Sequence, residues 1–330
     1  MRDPAFWWRA PGLASALLTP FGKLYGAIAT QRMSKIGTLA GLPVLCVGNF
    51  TLGGAGKTPT AMMFAALLRD AGETPCLLTR GYGGTVTRPR LVDAASDAAS
   101  EVGDEALLLA RVAPTVVSRD RLLGAAFAKA KGASVVIMDD GLQNASLVKD
   151  VTIAVIDGRR GIGNAQVFPA GPLRAPLDAQ LRRCDALLVI GDNGNARDVM
   201  AHAGALPVFH GRLVPDAAAI AALRQHKVLA FAGIGDPEKF FATVAQAGIQ
   251  IGVRRAFGDH HRFTAGDEAE LVLAAERGGL TLLTTEKDLA RMNGDRALAS
   301  LAAQTQVLPV TLEIDEVEFL RALVLKKLRR

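Results

Sequence analysis

Residues Val44 to Pro59, VLCVGNFTLGGAGKTP, constrain the fold more than any other stretch of this chain. Val44 to Val47 are apolar and read as a buried strand. A glycine-rich loop follows and ends in Gly56-Lys57-Thr58, and Thr60 to Leu68 is an apolar, helix-like run. Strand, glycine loop, GKT and helix in that order make a phosphate-binding loop. The segment Thr51, Leu52, Gly53, Gly54, Ala55 and Gly56 would turn its N–H groups inward, toward the positive end of the helix dipole. Lys57 would neutralise the terminal phosphates and Thr58 would offer a hydroxyl to Mg²⁺. One position departs from the usual pattern: the glycine expected five residues before Gly56 is Thr51. A glycine turn that merely contains GKT is the bland alternative, and the flanking strand and helix argue against it.

The chain has 330 residues, half of them hydrophobic, with few aromatic residues and a formal charge of +6. That length holds one large domain or two ordinary ones. The positive charge favours anionic partners: a nucleotide, a nucleic acid or an acidic membrane surface. The basic residues are spread out with no aromatic-interleaved patch, so nucleic acid is not expected. Cys46, Cys76 and Cys184 are far apart and show neither metal spacing nor a disulfide framework, which fits a reducing compartment. The start MRDPAFWWRAPG lacks the apolar core of a cleavable signal, and no apolar run is long enough to span a bilayer.

Residues 1–40 combine Phe6, Trp7 and Trp8 with Leu13, Leu17, Phe21, Leu24 and Ile28, and with Arg9, Lys23, Arg32 and Lys35. Pro20 and several glycines interrupt the run. Basic, aromatic and amphipathic character together suit a membrane-interface segment; a helix packed on the protein's own core is the alternative. The strand CLLT (76–79) is followed by the loop Arg80-Gly81-Tyr82-Gly83-Gly84. Asp104 and Glu105 open an apolar helix, where Asp104 is expected as an N-cap, or the pair could act on Mg²⁺ or a hydroxyl nucleophile. SVVIM (134–138) runs into Asp139-Asp140-Gly141-Leu142-Gln143, and a strand ending in Asp is the usual Mg²⁺-directed partner of a phosphate loop. Arg119 opens another helix, and Arg174 lies in the stiff loop Phe168 to Pro176, where it could clamp an anion. A second α/β pattern begins after Pro215. It carries the His pair of Gly258-Asp259-His260-His261, of which either is an acid–base candidate and neither completes a zinc site.

The predicted fold is α/β. A mostly parallel P-loop NTPase-type sheet over 41–206 is joined to a smaller α/β domain, 215–306, by a two-stranded hinge of 207–214 and 307–314. The 1–40 segment precedes them and a C-terminal helix, 315–330, ends the chain.

The ordered set VGNFTLGGAGKTP (47–59), TRGYGG (79–84), VGDE (102–105), DDGLQ (139–143), PAGPLRAP (169–176), FAGIGDPEKFF (231–241), FGDHHRF (257–263) and LLTTEKD (282–288) resembles the tetraacyldisaccharide 4′-kinases, the lipid A 4′-kinases of Gram-negative bacteria. The resemblance covers residues 10–315 and extends to Thr51, where the family tends to carry Ser or Thr. It implies transfer of the ATP γ-phosphate to the 4′-hydroxyl of tetraacyldisaccharide 1-phosphate, the lipid A precursor. It also implies Mg²⁺ and peripheral attachment to the cytoplasmic face of the inner membrane; no protein partner is expected. Matched by position, Asp104 corresponds to the proposed base and His260 to its histidine partner, with His261 as the fallback. Lys57 is the third catalytic group. Thr58, Glu105 and Asp139 correspond to the metal environment. Asn49, Tyr82, Arg119, Gln143, Asn144 and Arg174 fall where substrate contacts are expected. Asn144 stands where the family often has His, which removes any charged role there. Two rivals from other classes fit less well. A GTPase would need Asn-Lys-x-Asp, and Thr285-Glu286-Lys287-Asp288 has the wrong order. A dimerising membrane-switch ATPase would need a lysine where Leu52 stands.

Overall fold

Short apolar runs alternate with helices along the chain, and the computed structural model describes residues 3–191 and 194–329. Residues 1 and 2 of the expected interfacial segment and residue 330 of the C-terminal tail lie outside them. The first eight strands are β1 (Val44–Asn49), β2 (Pro75–Thr79), β3 (Arg90–Leu91), β4 (Thr115–Val117), β5 (Val135–Asp139), β6 (Val151–Asp157), β7 (Ala186–Ile190) and β8 (Val208–Pro215). They are followed by β9 (Lys227–Ala232), β10 (Gln250–Ala256), β11 (Thr281–Thr284), β12 (Gln306–Val307) and β13 (Val310–Ile314).

Nine strands form one sheet in the order β13-β8-β7-β6-β1-β5-β2-β4-β3. It is parallel except at its two edges, where β13 and β3 run antiparallel to their neighbours. The central strands β1, β5, β6 and β7 are buried along their whole length. That is why they read as unbroken apolar runs rather than alternating ones. β1 lies between β5 and β6, with Val47 level with Asp139. The carboxyl ends of β1 and β5 therefore open side by side, where α/β sheets bind ligands. Helix Lys57–Asp70 packs Phe64, Ala65 and Leu68 against Leu45, Ile137 and Ile153. Phe64 and Leu68 are fully buried, each stabilising the fold by about 1.5–3 kcal/mol.

The second sheet has the order β10-β9-β11-β12 and is parallel throughout. Phe240, Phe241 and Val244 fill one side of it, and Phe263, Leu271 and Leu301 the other. The expected two-stranded hinge takes a different form. Pro309 has no N–H to donate, and it divides the anticipated 307–314 strand. Val307 belongs to the second sheet through β12, while β13 pairs with β8 as the edge of the large sheet. The connection is thus an extension of the main sheet rather than a separate ribbon. Polar contacts also cross between the two parts. Lys239 Nζ donates to Asp157 at 2.8 Å, Arg160 Nε lies 3.3 Å from Asp236, and Arg159 pairs with Asp236 as well.

Residues Leu13–Met33 form one continuous helix, with Pro20 inside it rather than ending it. Its small residues allow close approach to the Val167–Pro176 loop. A Cβ on Gly22 would stand 2.7 Å from the Val167 carbonyl oxygen, and one on Gly26 would stand 3.3 Å from the Pro176 ring. Trp7 is buried and donates its indole N–H to the Pro169 carbonyl at 3.1 Å. The opposite face is apolar and bare: Leu17 is 75% exposed and Phe21 63%, with Leu13, Leu24 and Ile28 beside them. No helix among the described residues is long and apolar enough to cross a membrane.

Candidate active site

The phosphate loop is built around Asn49, the last residue of β1. Asn49 is fully buried. Its side-chain amide donates to the carbonyls of Thr51 (2.8 Å) and Gly53 (3.3 Å), and its oxygen accepts from Lys57 Nζ at 3.1 Å. The loop's curvature and the height of the lysine are thus set by one side chain. Gly56 takes φ +93°, a backbone conformation that favours glycine, and a Cβ there would also crowd the Ile190 methyl at 2.7 Å. Thr58 is buried in the first turn of the following helix.

The Phe168–Pro176 loop straps the phosphate loop from outside. Leu52 N–H donates to Pro172 O at 2.8 Å, and Arg174 Nε donates to Thr51 O at 2.8 Å. Arg174 Nη1 also donates to both oxygens of Asp140, at 2.9 and 3.0 Å. In the ligand-free chain its guanidinium faces the protein's own carboxylate. Gln143 donates to Asn49 O (2.8 Å) and to Gln180 (2.7 Å), and the Asn144 oxygen accepts from Ser146 N–H at 2.9 Å. In this structure Asn49, Gln143, Asn144 and Arg174 hold backbone in place. The substrate contacts expected of these four residues remain a proposal beside these structural bonds.

Carboxylates crowd the ends of β1 and β5. Asp139 is 1% exposed and its Oδ1 is buried without a hydrogen-bond partner. Burial first, then the charges of Glu105 and Asp140, push its carboxyl up to about 7 against the pull of Lys57 and Lys287. Asp140 goes the other way: burial would raise it, but Lys57 and Arg174 outweigh burial and bring it to about 2. Lys57 lies 3.6 Å from Asp140.

The second domain reaches across to the next pair of carboxylates. The helix carrying them begins at Asp104 with Gly103 as its cap, so Asp104 is inside the first turn rather than the expected N-cap. Its Oδ1 accepts the neighbouring Glu105 N–H, at 2.9 Å. Its Oδ2 faces His260 Nδ1 at 3.3 Å and Arg291 Nε at 2.6 Å. Burial alone would raise its carboxyl; the His260 hydrogen bond and the Arg291 and Lys287 charges win and hold it well below the ordinary carboxylate range. His260 is raised in turn, chiefly by its hydrogen bond to Asp104. Lys287 Nζ pairs with Glu105 at 2.7 Å. His260 sits at φ +53° with Tyr82 against its ring, centroids 4.9 Å apart. His261 turns away, stacking on Phe257 and bonding Asp267 at 3.1 Å. Of the two histidines, only His260 meets Asp104. Tyr82 is exposed, and Arg119 is exposed with one N–H on Gly84 O at 3.3 Å.

Two groups escaped sequence reasoning, Lys287 and Arg291. Both lie on helix Glu286–Met292, one turn apart, and their spacing looks like an ordinary basic helix face. The LLTTEKD motif (282–288) included Lys287 but stopped short of Arg291. Thr285 caps this helix, accepting the Asp288 N–H at 3.1 Å.

The comparisons with known proteins come down on one family. The model for "Tetraacyldisaccharide-1-P 4'-kinase" matches residues 14–329. The chain belongs to this family. It is 53% identical to the tetraacyldisaccharide 4′-kinase of Rhodopseudomonas palustris strain BisB5, over 100% of this chain and 98% of the relative. It is 52% identical to that of Nitrobacter winogradskyi, over 98% and 97%. Among solved structures, LpxK from Aquifex aeolicus, determined in complex with ATP, superposes with a TM-score of 0.73 at 26% identity, covering 96% of this chain and 100% of that one. The predicted α/β fold, with a large mostly parallel sheet and a smaller second sheet, is the fold of this kinase family.

The titration pattern has a direct consequence for stability. The native state keeps the Asp139 proton that the unfolded chain releases above about pH 4, so ligand-free stability falls as pH rises from about 4 to about 7. His260 acts in the same direction, its contribution present below about pH 6.5 and lost as pH rises through its higher native value. Asp104 and Asp140, both lowered, lose their contributions only below about pH 4. The ligand-free enzyme is therefore expected to melt at a higher temperature near about pH 5.5 than near about pH 8, Asp139 contributing on the order of 2 kcal/mol across that interval. Calorimetry on the wild type and Asp139→Asn checks this, and an undiminished slope in the variant contradicts it.

Proposed function

We propose that this kinase transfers the γ-phosphoryl group of ATP to the 4′-hydroxyl of tetraacyldisaccharide 1-phosphate while bound peripherally to the inner membrane. The meeting of Asp104 with His260 across the two domains, beside the phosphate loop, carries this reading. The loop N–H groups and Lys57 hold the polyphosphate and neutralise charge on the transferring group. The 4′-oxygen attacks the γ-phosphorus, the bond to the β–γ bridging oxygen breaks, and ADP leaves. The hydroxyl proton passes to the Asp104–His260 dyad. His260 donates its Nδ1 proton to Asp104, which leaves Nε2 as the acceptor nitrogen. Docking of the second domain completes the dyad and excludes water, limiting wasteful hydrolysis.

The residues present fit a magnesium ion. Among the described residues no three acidic, His or Cys side chains converge as a cage. Mg²⁺ bound with phosphates and water needs only one or two carboxylates. The orphaned Asp139 Oδ1 and the elevated Asp139 carboxyl mark a spot short of positive charge. Thr58, Glu105 and Asp139 would hold the ion, which would supply positive charge to neutralise the phosphates.

Membrane attachment rests on the bare stripe of helix Leu13–Met33, whose residues recur every three to four positions with Lys23 and Arg32 nearby. Leu17→Glu combined with Phe21→Glu is expected to shift the enzyme from anionic vesicles to the supernatant in flotation assays. Both side chains are solvent-exposed, so the change in stability should stay within about 0.5 kcal/mol. Unchanged vesicle binding would refute the attachment face.

The test of the whole reading is transfer of ³²P from γ-labelled ATP to the purified lipid disaccharide, followed by locating the label. Label on the 4′-oxygen supports it. ATP turnover indifferent to the lipid, or label elsewhere, overturns it.

A further inference from the structure

We propose that Arg291 is a positioning residue for phosphoryl transfer: its guanidinium fixes the Asp104 carboxylate in the one orientation that His260 can meet. The inference rests on the dyad reading above and adds a third member to it, from the second domain.

Arg291 is held on its own side before it reaches across. Its Nη1 donates to Asp288 Oδ1 at 2.6 Å and to the Gly233 carbonyl. Asp288 is itself fully buried and pinned by the Gly233 N–H at 3.1 Å and the Thr285 hydroxyl at 2.7 Å. A planar fork fixed on one edge presents its Nε in a defined direction, and that Nε donates to Asp104 Oδ2 at 2.6 Å. The other oxygen of Asp104 is tied to its own helix through Glu105 N–H. With both oxygens engaged, the carboxylate plane has a single setting, and Oδ2 alone is left for His260 Nδ1.

A purely stabilising ion pair is the competing explanation, and the burial argues against it as the whole account. The Asp104 and Arg291 side chains are 4% and 8% exposed. Pairs this buried gain little net stability over apolar packing, because desolvation offsets the attraction. What the pair does provide is geometry: no dyad forms unless the second domain has brought Arg291 and His260 together onto Asp104. Misplacing a reacting group by about 1 Å can cost on the order of 10²-fold in rate.

The test is a double-mutant cycle in steady-state kinetics with ATP and the lipid disaccharide. Arg291→Gln is expected to lower kcat by about 10- to 100-fold while KM for ATP stays within about twofold. In an Asp104→Asn background, whose residual activity comes from the phosphate loop and binding, the same substitution should cost less than about twofold more. Arg291→Lys should restore the melting temperature without restoring kcat, because a point charge cannot reproduce the fork. If Arg291→Gln does not fold, Arg291→Lys is read for the same loss and the same non-additivity. Equal fold-losses in both backgrounds, or full recovery of kcat by lysine, overturn the inference and leave the dyad standing. Asp104→Asn without loss of kcat removes both.

Discussion

Replacing Asp104 by asparagine is expected to lower kcat by about 10²- to 10⁴-fold, the range that a positioned acid–base group would contribute under the proposed mechanism. The substitution keeps the shape of the side chain and its acceptor for the Glu105 N–H. It turns Oδ2, however, into an amide N–H that faces two donors, Arg291 Nε and His260 Nδ1. The negative charge that holds the His260 proton on Nδ1 is gone, so the imidazole loses both its tautomer and its orientation. KM for ATP should change little, because the polar partners of Asp104 among the described residues are Glu105, His260 and Arg291 rather than the Thr51–Thr58 loop. Stability falls too, since removing one member of a buried ion pair costs on the order of 3–5 kcal/mol, reduced here because Arg291 keeps Asp288. Melting temperature and kcat must therefore be measured together. His260→Ala should lose rate without the same stability cost, its side chain being only partly buried. If a well-folded Asp104→Asn and His260→Ala each lose less than about tenfold, the dyad does not take the substrate proton.

Some of this site was legible in the sequence and some was not, and the division has a physical cause. The phosphate loop is local: a strand, glycines and GKT within sixteen residues carry their own geometry. Asp104 and His260 are distant, yet each sits in a short motif, and the choice between His260 and His261 waited on which ring turns toward the cleft. Arg291 was invisible because its work depends on a contact 187 residues away, and an arginine within a helix carries no local mark of it. Arg174 and Asn49 carry structural bonds that their sequence positions did not announce. A side chain that binds a ligand and one that props up the ligand's cradle look identical until burial and partners are known. Asn49 is fully buried, and Arg174 has Asp140 and the Thr51 carbonyl as partners. Pro309 is a smaller case of the same kind: one missing N–H moved Val307 into a different sheet from Val310.

Lys57→Met is expected to lower kcat by about 10²- to 10³-fold and, unlike Asp104→Asn, to weaken ATP binding as well. Methionine has a similar length and fills the space, so packing is nearly kept. What disappears is the one ammonium group that faces both the loop and the carboxylates. Lys57 Nζ bonds Asn49 Oδ1 at 3.1 Å and lies 3.6 Å from Asp140. Its charge is among those that pull down Glu105, Asp139 and Asp140. Without it Asn49 Oδ1 loses its donor inside the protein, at a cost of about 1–3 kcal/mol, and the curvature of the loop loosens with it. The γ-phosphate carries negative charge in the ground state and in the transition state, so the lysine acts on both, and KM and kcat move together. Titration calorimetry with ATP and single-turnover transfer to the lipid separate the two effects. A Lys57→Met enzyme that binds ATP weakly but transfers at more than about a tenth of the normal rate would confine the lysine to binding. The charge on the transferring group would then have to be met by the loop amides and the proposed metal ion.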